Sequence, residues 1–78
     1  MDKKITIYGT PTCPYCKMAK DFFDEKKINY EYKDVDADED AQKEMMQKSG
    51  SLSVPVIDID GKIIIGLDIP VISKELGL

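Results

Sequence analysis

Seventy-eight residues leave room for one domain, spanning residues 1–78, with one core. Two cysteines and no histidine exclude a dense disulfide framework and a histidine-based metal site. With 15 acidic residues against 11 basic ones and the lysines scattered, there is no basic patch for phosphates or anionic lipid, so neither nucleic acid nor membrane is an expected partner.

Residues 3–8 alternate polar and apolar side chains and are rich in β-branched ones, which predicts a first strand with Ile5 and Ile7 on one face. The opening Met1-Asp2-Lys3-Lys4-Ile5-Thr6 is charged but leads into no apolar run of signal-peptide length, and Ile63-Ile64-Ile65 is too short to span a bilayer. The expected location is the cytoplasm. Gly9-Thr10-Pro11-Thr12 breaks the strand pattern, and a helix is predicted from about Pro14, with Thr12 or Cys13 as N-cap and Pro14 in the first helical position. Tyr15, Met18, Ala19, Phe22 and Phe23 then form one apolar stripe that should pack on the sheet.

Residues 29–34 read as a second strand. The acidic run from Asp34 to Asp40 leads into a helix bearing Ala41, Met45 and Met46, its acids suited to the positive end of the helix dipole. Asp34-x-Asp36-x-Asp38 mimics the opening of a calcium loop, but Glu39 stands where that loop needs glycine and Met45 where it needs a bidentate glutamate, so the run is a solvated helix entrance. Met18 and Met45 are core filler in this reading. Gly50 ends the helix, and residues 54–59 and 62–65 form a hairpin around Asp60-Gly61, a dipeptide suited to a type I′ turn. Asp68 caps a last helix, with Pro70 near its first turn and Ile69, Ile72 and Leu76 inward. The order β-α-β-α-β-β-α predicts an α/β fold of thioredoxin-like layout, a mixed four-stranded sheet flanked by three helices.

Cys13 and Cys16 sit where the first strand gives way to the helix. A structural disulfide has little chance of persisting in a reducing cytosol, and a structural zinc needs four ligands that this chain cannot supply. Free backbone N–H groups at the helix start favour the thiolate of Cys13, which makes it the nucleophile. Cys16, nearly one turn further in, is close enough to attack a mixed disulfide on Cys13. Pro55, which cannot donate to a strand ladder, must lie at a sheet edge or a strand end.

Thr12-Cys13-Pro14-Tyr15-Cys16-Lys17 resembles the C-P-Y-C active site of dithiol glutaredoxins, and the resemblance extends over nearly the whole chain. Ser53-Val54-Pro55 is similar to the family's T-V-P segment, which implies a cis Pro55 facing Cys13 and backbone hydrogen bonds from Val54 to the peptide part of glutathione. Ile65-Gly66-Leu67-Asp68 is similar to the G-G-x-D turn that holds the γ-glutamyl end: Gly66 and Asp68 match, whereas Ile65 replaces the first glycine. Asp68 also reads as a plain N-cap, and the two roles can coexist. The lysine that the family often carries before its motif is replaced by Gly9-Thr10-Pro11, which leaves Lys17 or Lys48 to meet a glutathione carboxylate.

The resemblance implies an enzyme of electron transport, a glutathione-dependent thiol–disulfide oxidoreductase acting on protein disulfides and glutathione mixed disulfides. Its expected catalytic residues are Cys13 and Cys16, and its expected glutathione groove is Tyr15, Val54, Pro55, Gly66 and Asp68. Glutathione is then a co-substrate, with no tightly bound cofactor and no metal. The expected partners are glutathione and disulfide-containing or glutathionylated proteins, with the chain a monomer. Two alternatives belong to the same family: a redoxin recycled by thioredoxin reductase, which the Ile65 departure keeps open, and a carrier of a glutathione-ligated iron–sulfur cluster, which the stiffening by Pro14 disfavours.

Overall fold

The computed structural model describes residues 4–77. Residues 1–3, including the predicted strand start at Lys3 and the opening of the N-terminal segment, lie outside the described residues, as does Leu78. The elements follow as β1 (Ile5–Gly9), α1 (Pro14–Glu25), β2 (Glu31–Asp34), α2 (Glu39–Ser49), β3 (Val56–Ile59), β4 (Lys62–Ile65) and α3 (Ile69–Leu76). The four strands form one sheet in the order β2-β1-β3-β4. β1 and β2 run parallel, as a strand–helix–strand unit requires, and the other two pairings are antiparallel. This is the thioredoxin-like α/β fold expected from the element order.

All five residues of β1 are buried, because helices cover both faces of the strand. On one face Ile5, Ile7, Ile57, Ile59 and Ile64 meet Ala19 and Phe23 of α1 and Ile72 of α3. On the other, Tyr8 and Val56 meet Val35 and the α2 residues Ala41 and Met45. The period-two alternation of β1 thus assigns Ile5 and Ile7 to α1 and α3, and Tyr8 to α2.

Local chemistry explains the element ends. Asp34 Oδ1 accepts from the N–H of Asp36 and Ala37, and Asp38 Oδ1 accepts from Asp40 and Ala41, so two members of the acidic run close a turn and cap α2. Gly50 ends that helix at φ 69° and donates its N–H to Met46 O. Asp60 and Gly61, at φ 52° and 96°, supply the two left-handed residues that the predicted hairpin turn requires.

Several expectations need correction. Tyr15 and Met18 do not pack on the sheet: they are 61% and 51% exposed, while Cys16, Ala19 and Phe23 are buried. Helical residues step about 100° apart, so once Cys16 and Ala19 face inward, Tyr15 and Met18, one position back from each, turn toward water. For the same reason Met46 is exposed beside buried Met45. β2 begins at Glu31 instead of 29, because its pairing to β1 starts at Thr6–Glu31. β3 begins at Val56 instead of 54, because Pro55 has no N–H for the ladder.

Candidate active site

The cysteine segment hangs between the C-terminal end of β1 and the first turn of α1. Cys13 is the N-cap of α1, at φ −85° and ψ 115°, and its Sγ accepts the N–H of Cys16 at 3.2 Å. Of the two caps open in the sequence the helix uses the cysteine, so a sulfur fills the place where a side-chain oxygen usually satisfies the free helical N–H. Pro14 follows at the first helical position, where a missing N–H costs nothing. Cys13 is partly exposed and Cys16 is buried, both as free thiols.

Burial, reinforced by the contact with Cys13, pushes the Cys16 thiol up to about 11. The pair is therefore asymmetric: one sulfur at the helix start within reach of solvent, the other beneath it and held protonated at neutral pH.

Gly9 makes this arrangement possible. A Cβ there would stand 2.6 Å from Cys16 Sγ and 2.5 Å from the Tyr32 hydroxyl, so the strand end leaves the space that both atoms fill. The Tyr32 hydroxyl donates to Thr10 O at 2.9 Å, and the same carbonyl takes the Cys13 N–H at 3.5 Å. Burial and the neighbouring cysteines raise the Tyr32 hydroxyl above its ordinary value. Beside Cys13 opens a cleft of about 240 Å³ lined by Thr10, Lys17, Lys20, Tyr30 and Tyr32 among others. Tyr32 and Lys20 were not singled out in the sequence. Tyr32 is 22 positions from Thr10, and only the pairing of β1 with β2 brings them together.

Of the expected glutathione residues, Val54, Pro55, Gly66 and Asp68 flank β3 and β4, which lie on the side of β1 away from β2 and Tyr32. Tyr8 pairs with Val56 in the antiparallel register, so Pro55, one residue before β3, falls opposite Gly9, the last residue of β1, from which the chain leads into the cysteine loop. The Val54–Pro55 bond is cis, and Pro55 O accepts the Gly66 N–H at 2.8 Å, which joins two of the expected segments directly. Gly66 sits at φ 86°, a conformation suited to glycine. Asp68 caps α3, its Oδ1 accepting from the Val71 N–H at 3.4 Å, so the plain capping role is present. Tyr15 projects from the first turn of α1 into solvent.

Of the two candidate lysines, Lys17 borders the cleft beside Cys13 and pairs with Asp21 at 3.0 Å. Lys48 is engaged elsewhere, with Asp58 at 2.7 Å, the Tyr8 hydroxyl at 2.9 Å and Glu44 at 3.3 Å. The Tyr8 hydroxyl in turn donates to Glu44, which also pairs with Lys33 at 3.1 Å. These bonds hold the Glu44 carboxyl down to about 2, the Tyr8 hydroxyl contributing most. Among the described residues no group of three or more histidine, cysteine, aspartate or glutamate side chains is arranged to hold a metal ion, and no helix is long and apolar enough to cross a membrane.

Comparison with known proteins gives these features a context. The family model described as Glutaredoxin matches residues 5–64. A glutaredoxin-like 8.6 kDa protein in the rubredoxin operon of Clostridium pasteurianum is 43% identical over 70 residues, covering 90% of this chain and 93% of that one. The crystal structure of methanoredoxin from Methanosarcina acetivorans superimposes with a TM-score of 0.88 at 30% identity, over 96% of this chain and 85% of that one. A buckwheat glutaredoxin–glutathione complex superimposes with a TM-score of 0.75 at 27% identity, over 96% and 71% of the two chains.

Proposed function

The chain belongs to the glutaredoxin family of thiol–disulfide oxidoreductases, and from that membership we propose that it reduces protein disulfides and glutathione mixed disulfides with glutathione as co-substrate. The observation that carries this reading is the sulfur of Cys13 at the N-cap of α1, accepting the N–H of Cys16, with the protonated thiol of Cys16 buried behind it. Cys13 is within reach of a substrate disulfide, whereas Cys16 is buried and held protonated, so the attacking and resolving roles fall to different residues.

In the reaction, the Cys13 thiolate attacks one sulfur of the substrate disulfide. That S–S bond breaks, and the leaving thiolate takes a proton. The mixed disulfide on Cys13 is then resolved by Cys16, which closes the internal disulfide, or by a glutathione thiolate, which releases glutathione disulfide. Glutathione is to lie along Tyr15, Val54, Pro55, Gly66 and Asp68. The Pro55–Gly66 hydrogen bond and the likeness to a glutaredoxin solved with glutathione support that groove. The protein is to act in the cytoplasm as a monomer without a bound cofactor, on disulfide-containing or glutathionylated proteins.

One observation favours recycling by thioredoxin reductase: Ile65 stands where the family's turn has glycine, and its side chain is 52% exposed beside the proposed groove. A turnover assay with glutathione and glutathione reductase, run against one with thioredoxin reductase, tests the reading. Activity only with thioredoxin reductase would overturn the glutathione assignment and leave the cysteine chemistry standing.

A further inference from the structure

Cys16 is the sulfur whose charge the protein resists. Each time the Cys13–Cys16 bond opens, an electron pair arrives on this buried atom, and each time it closes, Cys16 must first lose its proton. The groups that bear on the charge of Cys16 Sγ are Cys13, the backbone of Thr10 and the Tyr32 hydroxyl. The Tyr32 hydroxyl and Cys16 Sγ lie 2.5 and 2.6 Å from the one point where a Cβ on Gly9 would stand, so the bare glycine leaves the two atoms side by side. In the dithiol state the hydroxyl proton is spent on Thr10 O at 2.9 Å. A phenolic O–H turns about its C–O bond, so one oxygen, without changing place, can aim its proton at the Thr10 carbonyl or at the sulfur.

We propose that the Tyr32 hydroxyl is the switchable hydrogen-bond donor to Cys16, bonded to Thr10 O while Cys16 is a thiol and turned to Cys16 Sγ while Cys16 is a thiolate. This role rests on the dithiol function proposed above. In reduction, an external thiolate bonds to Cys13 Sγ, the Cys13–Cys16 bond breaks and its electron pair goes to Cys16. The Cys16 thiolate then takes a proton from solvent while Tyr32 keeps its own. In closure the order reverses, with Cys16 giving its proton to solvent before it attacks Cys13.

The surroundings suit a donor and not a base. Burial, Cys16, Cys13 and Asp34 all hold the hydroxyl protonated, while the Lys20 ammonium lies 4.6 Å from the ring centroid.

Tyr32→Phe tests the proposal, because it keeps the half-buried ring and its contact with Lys20 and removes only the hydroxyl. Reduction of the oxidised protein by dithiothreitol, followed in a stopped-flow instrument by tyrosine fluorescence, should slow about tenfold, as expected for losing a hydrogen bond to a charged group. In a Cys16→Ser background, where no charge develops at that position, Tyr32→Phe should change dithiothreitol reduction of the Cys13–glutathione mixed disulfide by less than about twofold. Equal slowing in that background would overturn the proposal, since Tyr32 would then act only by holding the loop at Thr10. The wild-type advantage should stay constant from about pH 6 to about pH 9, as the hydroxyl remains protonated throughout. An advantage that disappeared toward the alkaline end would likewise overturn it. If oxidation produced no Cys13–Cys16 disulfide, the dithiol function would fall together with this role. If the disulfide formed but was reduced at the same rate in both proteins, the role of Tyr32 alone would fall.

Discussion

Three positions apart in the chain, Cys13 and Cys16 differ in exposure and in hydrogen bonding: Cys13 is partly exposed and its sulfur accepts the Cys16 N–H, while Cys16 is buried. Serine at position 13 should abolish all exchange activity. Serine at position 16 should retain removal of glutathione from mixed disulfides and lose the reduction of protein disulfides, where an internal attacker is required. Parallel assays on a glutathionylated peptide and on a disulfide-bonded protein check the split, with circular dichroism to confirm the fold. Loss of both activities in a folded Cys16→Ser protein would refute it. Asp68 poses a second question at this scale, because its observed cap does not preclude a role in the groove. Asparagine caps nearly as well, so Asp68→Asn should leave thermal stability almost unchanged while raising KM for glutathione if the charge meets the ligand's amino group. An unchanged KM would confine Asp68 to its cap. Cys13, Cys16 and the Asp68 cap were legible in the sequence because each depends on neighbours within a few positions. Tyr32 was not, since its partners lie across a strand pairing that no local pattern announces.

Helix faces were read less accurately than helix positions. The apolar stripe that the α1 sequence predicts lies about one residue out of phase with the buried face: the same apolar residues admit two neighbouring faces, and the burial of Cys16, a small hydrophobe when free, decides between them. Tyr15 and Met18, displaced from the core, stand exposed on the helix that bears the cysteines. α2 shows what helix-period reading omits entirely, a polar attachment. Glu44 and Lys48 reach the sheet through Tyr8, Lys33 and Asp58, so α2 is held to β1, β2 and β3 by charge as well as by Ala41 and Met45. This attachment carries a pH signature. The Glu44 carboxyl is lowered from its ordinary value near 4.5 to about 2 in the folded chain. Its contribution is therefore complete above the ordinary value and is lost as pH falls through that window toward about 2. Glu44→Gln should lower stability at neutral pH and flatten the acid side of the stability curve between those values. Urea midpoints taken across that pH range would show it, and an unchanged slope would assign the acid sensitivity to other groups.

At the scale of the molecule, the fold was the most legible part of the chain, because strand and helix periods, turn dipeptides and caps all agree on one order of elements. Only the strand ends shifted, and there the cause was pairing partners and the missing N–H of Pro55. A sheet so short offers little redundancy. Ile57, fully buried in the central β3, touches the layer shared by α1 and α3. Ile57→Ala should cost about 2–5 kcal/mol, against the roughly 3–5 kcal/mol that a core of this size supplies. Urea titration should find the variant largely unfolded or with a sharply lowered midpoint, and a midpoint near wild type would mean that the core collapses around the deletion.

The bare backbone at Gly9 also limits the routes along which this sequence can diverge. Any side chain at position 9 meets the sulfur and Cβ of Cys16 as well as the hydroxyl of Tyr32, at 2.6, 3.0 and 2.5 Å. Losing the hydroxyl relieves one of these contacts and leaves the other two. Glycine at 9 is therefore tied first to the cysteine and only then to the tyrosine. A lineage that kept its buried thiol would have to keep Gly9 even after Tyr32 had drifted. One that abandoned the thiol for a smaller residue would be the first in which position 9 began to vary.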